Sequence, residues 1–184
     1  DQQSVWQSSA AEGSTIGWGG RFGDLLAAGN ANATFTAISV SGSAVFVSGQ
    51  QVLQYQVGTG GPAKISALSG NVFGSPTAAA TLRALLTATR PHLFEDELAR
   101  LTRRSIDASA ALGAALDGAR ALATPFDAAN SLAQQLRMVA QIISARQATG
   151  ARRQVFFVSL GGFDNHDNLL DIQPDLHAAL AGAI

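Results

Sequence analysis

The sequence contains no cysteine and only one lysine, Lys64, beside eleven arginines. The lack of cysteine excludes disulfide bonds and thiolate metal ligands, and it is compatible with either the cytosol or the periplasm. Charged residues make up 14% of the chain and the formal net charge is −1, so electrostatics gives no basis for binding nucleic acid. No apolar run reaches the ~18 residues that a transmembrane helix needs, so we expect no membrane span in this chain.

What is present is a globular composition. The chain has 184 residues, 47% of them hydrophobic, which is enough for one domain with a sizeable core. Asp1 opens directly into a helix-like pattern, and residues 178–184 end inside an apolar helical pattern without a cap. We therefore expect a middle part of a longer protein, with residues 1–184 forming a single partial domain.

The first third of the sequence predicts a helix followed by β structure. Residues 18–28 place their large apolar side chains on one helical face. Residues 34–40 then alternate between apolar and polar, and residues 44–47 and 52–57 flank a turn-like Ser-Gly-Gln-Gln segment. The pattern predicts an antiparallel β insert over residues 34–68. Such an insert can be a surface flap, or a lid or partner surface.

The rest of the sequence predicts helices and then a strand. Residues 75–150 form a predicted helical layer, with one helix from Pro91 to about Arg120 and an amphipathic one from Asn130 to Arg146. Residues 153–184 follow as a core strand, a polar loop and a helix. This order is half of an α/β crossover, so we predict an α/β fold containing parallel strands.

The loop after this strand concentrates the chemistry of the chain. Residues 155–158 predict a buried strand, a Gly-Gly pair ends it, and Asp164 and His166 follow at once. Metals and ligands gather at the carboxyl ends of strands in sheets that helices cover. A carboxylate and an imidazole two residues apart can bind one divalent cation, such as Zn²⁺. In the competing interpretation Asp164 forms an Asx-turn and His166 is merely exposed.

Other polar residues have simpler interpretations. Asp167 and Asn168 are predicted to cap the following helix, with support of a metal ligand as the alternative. Ser159 lacks the Gly-x-Ser-x-Gly elbow of a nucleophile and is interpreted as a strand residue. Arg21, in a glycine-rich segment, can meet an anion. Two histidines are interpreted as surface residues, His92 and His177.

Three segments resemble ones that recur together in one bacterial family. Residues 16–21, Ile-Gly-Trp-Gly-Gly-Arg, resemble a Gly-Trp-x-x-Arg segment, and residues 132–140 resemble a helix of that family. Residues 157–166 resemble its signature Gly-Gly-Phe/Trp-Asp-Thr-His, with Asn165 in place of threonine. On these motifs the chain resembles the domain of unknown function 1501 family, which is placed near the alkaline phosphatase and sulfatase superfamily.

The resemblance implies a partial three-layer core of the alkaline phosphatase type, exported by the twin-arginine route to the periplasm or beyond. It implies a metal-dependent hydrolase of small phosphate or sulfate esters, with Asp164 and His166 in a metal-binding position. The family's Arg-Gly-Gly-x-Asp-Gly, Asp-Phe-Gly-Arg and Asp-His-Gly segments would supply the other ligands and the nucleophile, and they have no counterpart in these 184 residues. We therefore expect this chain to be inactive alone. The alternative is a non-catalytic exported protein that keeps the fold and binds or assembles with a protein partner.

Overall fold

A computed structural model describes residues 2–68, 70, 72 and 74–184. Within them the chain forms helices and short strands in a mixed α/β arrangement, which confirms the predicted class. The helices are α1 (Gln2–Ser8), α2 (Trp18–Leu26), α3 (Ala78–Thr87), α4 (Leu93–Asp117), α5 (Ser131–Ser144), α6 (Arg146–Thr149) and α7 (Leu169–Ala183). The strands are β1 (Ala37–Ser39), β2 (Tyr55–Gln56) and β3 (Val155–Phe157). Single 3₁₀ turns cover Ala27–Gly29, Ala33–Phe35, Val45–Val47 and Ser66–Leu68.

The three strands form a parallel sheet with β1 in the middle. Ile38 pairs with Tyr55 of β2 on one side and with Phe156 of β3 on the other. All three residues of β1 are buried, because this strand has a neighbour on both edges. The centre of the fold is therefore β1, and the carboxyl ends of all three strands lie at the same edge of the sheet.

The antiparallel insert predicted for residues 34–68 is not supported by the structure. Residues 45–47 form a 3₁₀ turn instead of a strand, and β2 pairs with β1 in parallel. The physical reason is burial: Val47 and Val52 pack with Ala37 and Ala44 in one apolar cluster, which a flat hairpin on the surface could not provide. Since β1 itself lies within residues 34–68, this segment is part of the main sheet and not a separate flap.

Strand β3 occurs where the sequence predicts it, but the prediction that it is buried is wrong. Each of its three residues is half-buried. In the order β2-β1-β3 this strand has only one neighbour, so one backbone edge and part of each side chain remain accessible. Phe157 still contributes to the core, since its ring lies 5.7 Å from that of Phe46.

Helix α2 packs through its glycines and not through its large apolar side chains. A Cβ atom at Gly20 would lie 1.9 Å from the backbone oxygen of Ser48, so the helix and the 45–49 segment touch backbone to backbone. The predicted apolar face is consequently turned outward, with Phe22 56% and Leu25 80% exposed. Close approach decides the orientation here, because only a glycine face fits against the neighbouring chain.

The carboxylate of Asp24 completes this contact. It accepts hydrogen bonds from the N–H groups of Gln50, Gln51 and Val52 at 2.8–2.9 Å. Desolvation by itself would raise the pKa of Asp24, but the N–H groups of Val52, Gln50 and Gln51 together outweigh it and hold the pKa below its ordinary value of 3.8. The loop before β2 is thus fixed to α2 by a charged group.

Helices α4 and α5 lie within the two longest segments predicted to be helical. Asn130 caps α5: its side-chain oxygen accepts the N–H groups of Leu132 and Ala133, each at 3.1 Å. Its amide nitrogen donates to the carbonyl of Ala179 in α7 at 2.6 Å. Leu132 and Ala133 pack with Ala183, so α5 and α7 form a second apolar cluster beside the sheet.

The chain divides into two compact units, Asp1–Gly61 with Ala115–Ile184, and Pro62–Ala114. The first contains the sheet. The second contains α3 and most of α4, and an ion pair joins Arg83 of α3 to Asp107 of α4 at 2.6 Å. Among the residues that the structure describes, no helix has the length and apolarity required to cross a membrane.

Candidate functional site

Two serine hydroxyls meet at the carboxyl edge of the sheet. Ser41 and Ser159 each lie two residues beyond the end of their strand, and their Oγ atoms are hydrogen-bonded to each other. The ladder continues to this point, since the N–H of Val40 donates to the carbonyl of Phe157 at 2.9 Å. The hydroxyl pair therefore sits at the position where open α/β sheets bind ligands.

Gln135 of α5 fixes the backbone of Ser159. Its side-chain oxygen accepts the N–H of Ser159 at 2.9 Å, and its amide nitrogen donates to the carbonyl of the same residue at 2.9 Å. The glutamine is itself buried, so both bonds are shielded from water. A buried amide that holds both polar groups of one residue restricts where the serine hydroxyl can lie.

Neither Ser41 nor Gln135 was singled out from the sequence, although each leaves a signal there. Gln135 is a polar residue three positions after Leu132, on the face of α5 that the apolar pattern marks as buried. A polar side chain at such a position needs a partner, which here is the end of a strand. Ser159 was interpreted as a strand residue, which is wrong: β3 ends at Phe157 and the serine belongs to the edge.

The loop from residue 158 to 168 is tied to helix α7. Gln173 of this helix donates to the carbonyl of Phe163 at 3.2 Å and to the side-chain oxygen of Asn165 at 2.8 Å. The ring of His177, one turn further on, contacts the ring of Phe163 edge to face at 5.6 Å. The residues on either side of Asp164 are thereby held, while Asp164 itself points into solvent.

The two residues predicted to bind a metal lie next to each other. The Oδ1 atom of Asp164 is 3.7 Å from the Nε2 atom of His166, and their side chains are 98% and 91% exposed. At this separation one cation can contact both side chains after a small rotation of either. Their role as metal ligands stays a prediction.

The described residues supply these two donors and no third. Within the ranges that the structure covers, no group of three or more histidine, aspartate, glutamate or cysteine side chains is arranged to hold a metal ion. His177 contacts Phe163, and His92 belongs to the other compact unit, where its ring lies 5.8 Å from that of Phe94. A catalytic zinc centre uses about three protein ligands, so the chemistry of the pair fits a divalent cation but does not complete its coordination.

The other predicted candidates have structural roles or none. The guanidinium of Arg21 lies over the ring of Trp18 at 5.9 Å, a cation–π contact in place of the predicted anion contact. Asn168 precedes α7 with a left-handed φ of 52° and makes no side-chain capping hydrogen bond, so its predicted capping role is wrong.

Comparison with protein-family models, curated proteins and solved structures gives no match for this chain. The resemblance to the domain of unknown function 1501 family therefore rests on the sequence motifs alone.

Proposed function

We propose that this chain forms part of an exported metal-dependent hydrolase of phosphate or sulfate esters, with the reacting centre at the carboxyl edge of the sheet. The observation that supports the proposal is the contact between Asp164 and His166 on the loop that follows β3. An alkaline-phosphatase-like, three-layer core and export to the periplasm belong to the same proposal, and they rest on the motifs at residues 16–21, 132–140 and 157–166.

Asp164 and His166 would hold a divalent cation such as Zn²⁺, together with ligands from outside the described residues. The cation would supply Lewis-acid stabilisation of the charge that develops on the phosphoryl or sulfuryl oxygens. Gln173 and the ring of His177 hold the loop on either side of Asp164, which limits the positions open to the carboxylate. The protein contributes a loop of restricted geometry at an edge suited to ligand binding.

The hydroxyl pair gives this edge a second polar element. Ser41 and Ser159 share one hydrogen bond, so one hydroxyl proton and several lone pairs remain for a third group. We assign them a binding role toward an ester oxygen, because no base is found beside either hydroxyl in the described part of the chain. A serine nucleophile requires an adjacent base or metal to be activated.

One observation favours a second candidate function. The two metal-ligand side chains are almost fully exposed and lack a third protein ligand among the described residues. A protein that keeps the fold without the reaction, and binds or assembles with an exported partner, would also leave this loop open.

Metal content and turnover separate the two candidates. The experiment uses the protein in its natural length, with Asp164→Ala and His166→Ala as test variants and Asp167→Ala as the control for loss of a carboxylate on the same loop. A hydrolase is expected to lose metal occupancy, and metal-dependent cleavage of phosphate or sulfate monoesters, in both test variants only. Absence of ester cleavage together with unchanged metal content in all variants would favour the non-catalytic function.

The 184-residue chain on its own is expected to show no hydrolase activity, since it supplies two ligands and no activated nucleophile. The assay uses generic phosphate and sulfate monoesters with added Zn²⁺, Mn²⁺ or Ca²⁺. Turnover well above that of the His166→Ala variant would show that these residues hold a complete site.

A further inference from the structure

A pocket at the amino edge of the sheet has a cationic lining and no acidic residue. It has a volume of about 750 Å³, is open to solvent, and is lined by the 29–31 segment and by residues 146–152. Arg146 and Arg152 contribute the two charged side chains of this lining. Because Arg152 precedes β3 by three residues, the pocket lies at the opposite edge of the sheet from Ser159 and Asp164.

The backbone wall of the pocket is held by internal hydrogen bonds. The side-chain oxygen of Asn30 accepts the N–H groups of Arg152 and Arg153 at 2.8 and 3.0 Å, and its amide nitrogen donates to the carbonyl of Arg153 at 2.8 Å. The N–H of Ala31 donates to the carbonyl of Gly150 at 2.9 Å. These backbone groups are spent within the wall, so a bound molecule would find its hydrogen-bond donors on the side chains.

Gly150 sets the shape of this wall. It turns the chain between the two arginines with a left-handed φ of 69°, and a Cβ atom there would lie 2.9 Å from the side chain of Ala31. Both observations require glycine at this position. The turn thereby brings Arg146, at the start of α6, and Arg152, just before β3, to one pocket.

The two guanidinium groups have no acidic partner. No carboxylate lies within ion-pair distance of either one in the part of the chain that the structure describes, and the recorded contact of the Arg146 guanidinium is a long 3.4 Å hydrogen bond to the carbonyl of Ile143. An unpaired guanidinium offers a planar fork of donors that matches carboxylate and phosphate oxygens. Two of them give a local charge near +2 on a chain whose net charge is −1.

We propose that this pocket binds a small molecule carrying at least two negative charges on phosphate or carboxylate oxygens, held by forked hydrogen bonds from Arg146 and Arg152. Gln147, which also lines the pocket, adds a neutral amide donor. The volume is within the range of about 300–1,000 Å³ found for small-molecule sites. This site is independent of the proposed hydrolase function, since it uses none of the residues at the carboxyl edge.

Calorimetric titration with pyrophosphate and with citrate tests the proposal and distinguishes phosphate from carboxylate ligands. The wild-type protein is expected to bind at least one of the two saturably, and Arg146→Ala/Arg152→Ala to bind it about tenfold more weakly or worse. The matched control is Arg104→Ala/Arg120→Ala, which removes the same charge from exposed arginines outside the pocket and should leave the affinity unchanged. Circular dichroism of each variant verifies folding, which is expected because no side-chain contact of Arg152 is lost.

Absence of saturable binding by the wild type would overturn the proposal. Equal weakening in the control pair would also overturn it, because the effect would then come from net charge and not from the pocket. The Arg146→Lys/Arg152→Lys variant keeps the charge and loses the fork, so it is expected to bind more weakly than the wild type. Wild-type affinity in that variant would contradict recognition by forked hydrogen bonds.

Discussion

Two glycines of helix α2, one turn apart, should respond to alanine in opposite directions. A Cβ atom at Gly20 would lie 1.9 Å from the backbone oxygen of Ser48, whereas ordinary contact begins at 3.4 Å. The neighbouring backbone must therefore move by roughly 1.5 Å, and it cannot rotate away as a side chain could. A Cβ atom at Gly23 would lie 3.5 Å from side-chain atoms of Ala37 and Val52, which is normal packing.

The magnitudes follow from these contacts. Alanine in a helix interior is favoured over glycine by about 0.8–1 kcal/mol at either position. For Gly23→Ala nothing opposes this gain, so we expect stabilisation of up to about 1 kcal/mol. For Gly20→Ala the overpacking of backbone against backbone costs about 3 kcal/mol or more, the upper end for inserted methyl groups, which leaves a net loss of about 2 kcal/mol.

Urea denaturation followed by tryptophan fluorescence measures both effects in the right part of the molecule. Trp6 and Trp18 are the two tryptophans of the chain, and both belong to the compact unit that contains the sheet. Gly29→Ala is the control, since a Cβ atom there would meet nothing within 4 Å. If Gly20→Ala and Gly23→Ala changed the free energy of unfolding by similar amounts, the close contact between α2 and the 45–49 segment would be refuted.

Further predictions concern the same unit. Asp24→Asn should lower stability at neutral pH, and the difference from wild type should disappear as the pH falls from 3.8 through the lower pKa of the folded state, because a depressed carboxyl pKa stabilises the fold only while the group is ionised; urea melts across this range would show it. Ile38→Ala, in the central strand, should cost about 2–5 kcal/mol by chemical denaturation, and Phe157→Ala in the edge strand less; the reverse order would contradict the assigned strand order. Deletion of residues 45–57 should abolish cooperative unfolding of the sheet unit, since it removes β2 and the contact surface of α2, and a folded product would place these residues outside the core.

The sequence predicted the longer elements because their periodicity is strong. α4, α5 and β3 fall within their predicted segments, and Asn130, where the last predicted helix begins, is the capping residue of α5. Short apolar runs were less informative. Residues 45–47 and 52–57 are rich in valine, which suits a strand, yet their burial is achieved by a 3₁₀ turn and a two-residue parallel strand.

The orientation of α2 and the composition of the carboxyl edge needed three-dimensional information. The stripe of Trp18, Phe22 and Leu25 has the spacing of a buried face, but the glycines on the other face allow a closer contact, and that contact determines the packing. At the edge, the pair formed by Asp164 and His166 could be predicted because the two residues lie in one loop. Ser41 and Ser159 are 118 residues apart in the sequence, and only the pairing of β1 with β3 joins them.

The most direct measurement of the proposed metal site uses the three histidines of the chain as probes. In NMR spectra of the imidazole protons during titration with Zn²⁺, the resonances of His166 should shift at lower metal concentration than those of His92 and His177, because the carboxylate of Asp164 lies 3.7 Å from its Nε2 atom. Asp164→Ala should remove this preference, and Asp167→Ala should retain it. Equal response of all three histidines, or an unchanged preference in Asp164→Ala, would contradict the assignment of Asp164 and His166 as the metal-binding pair.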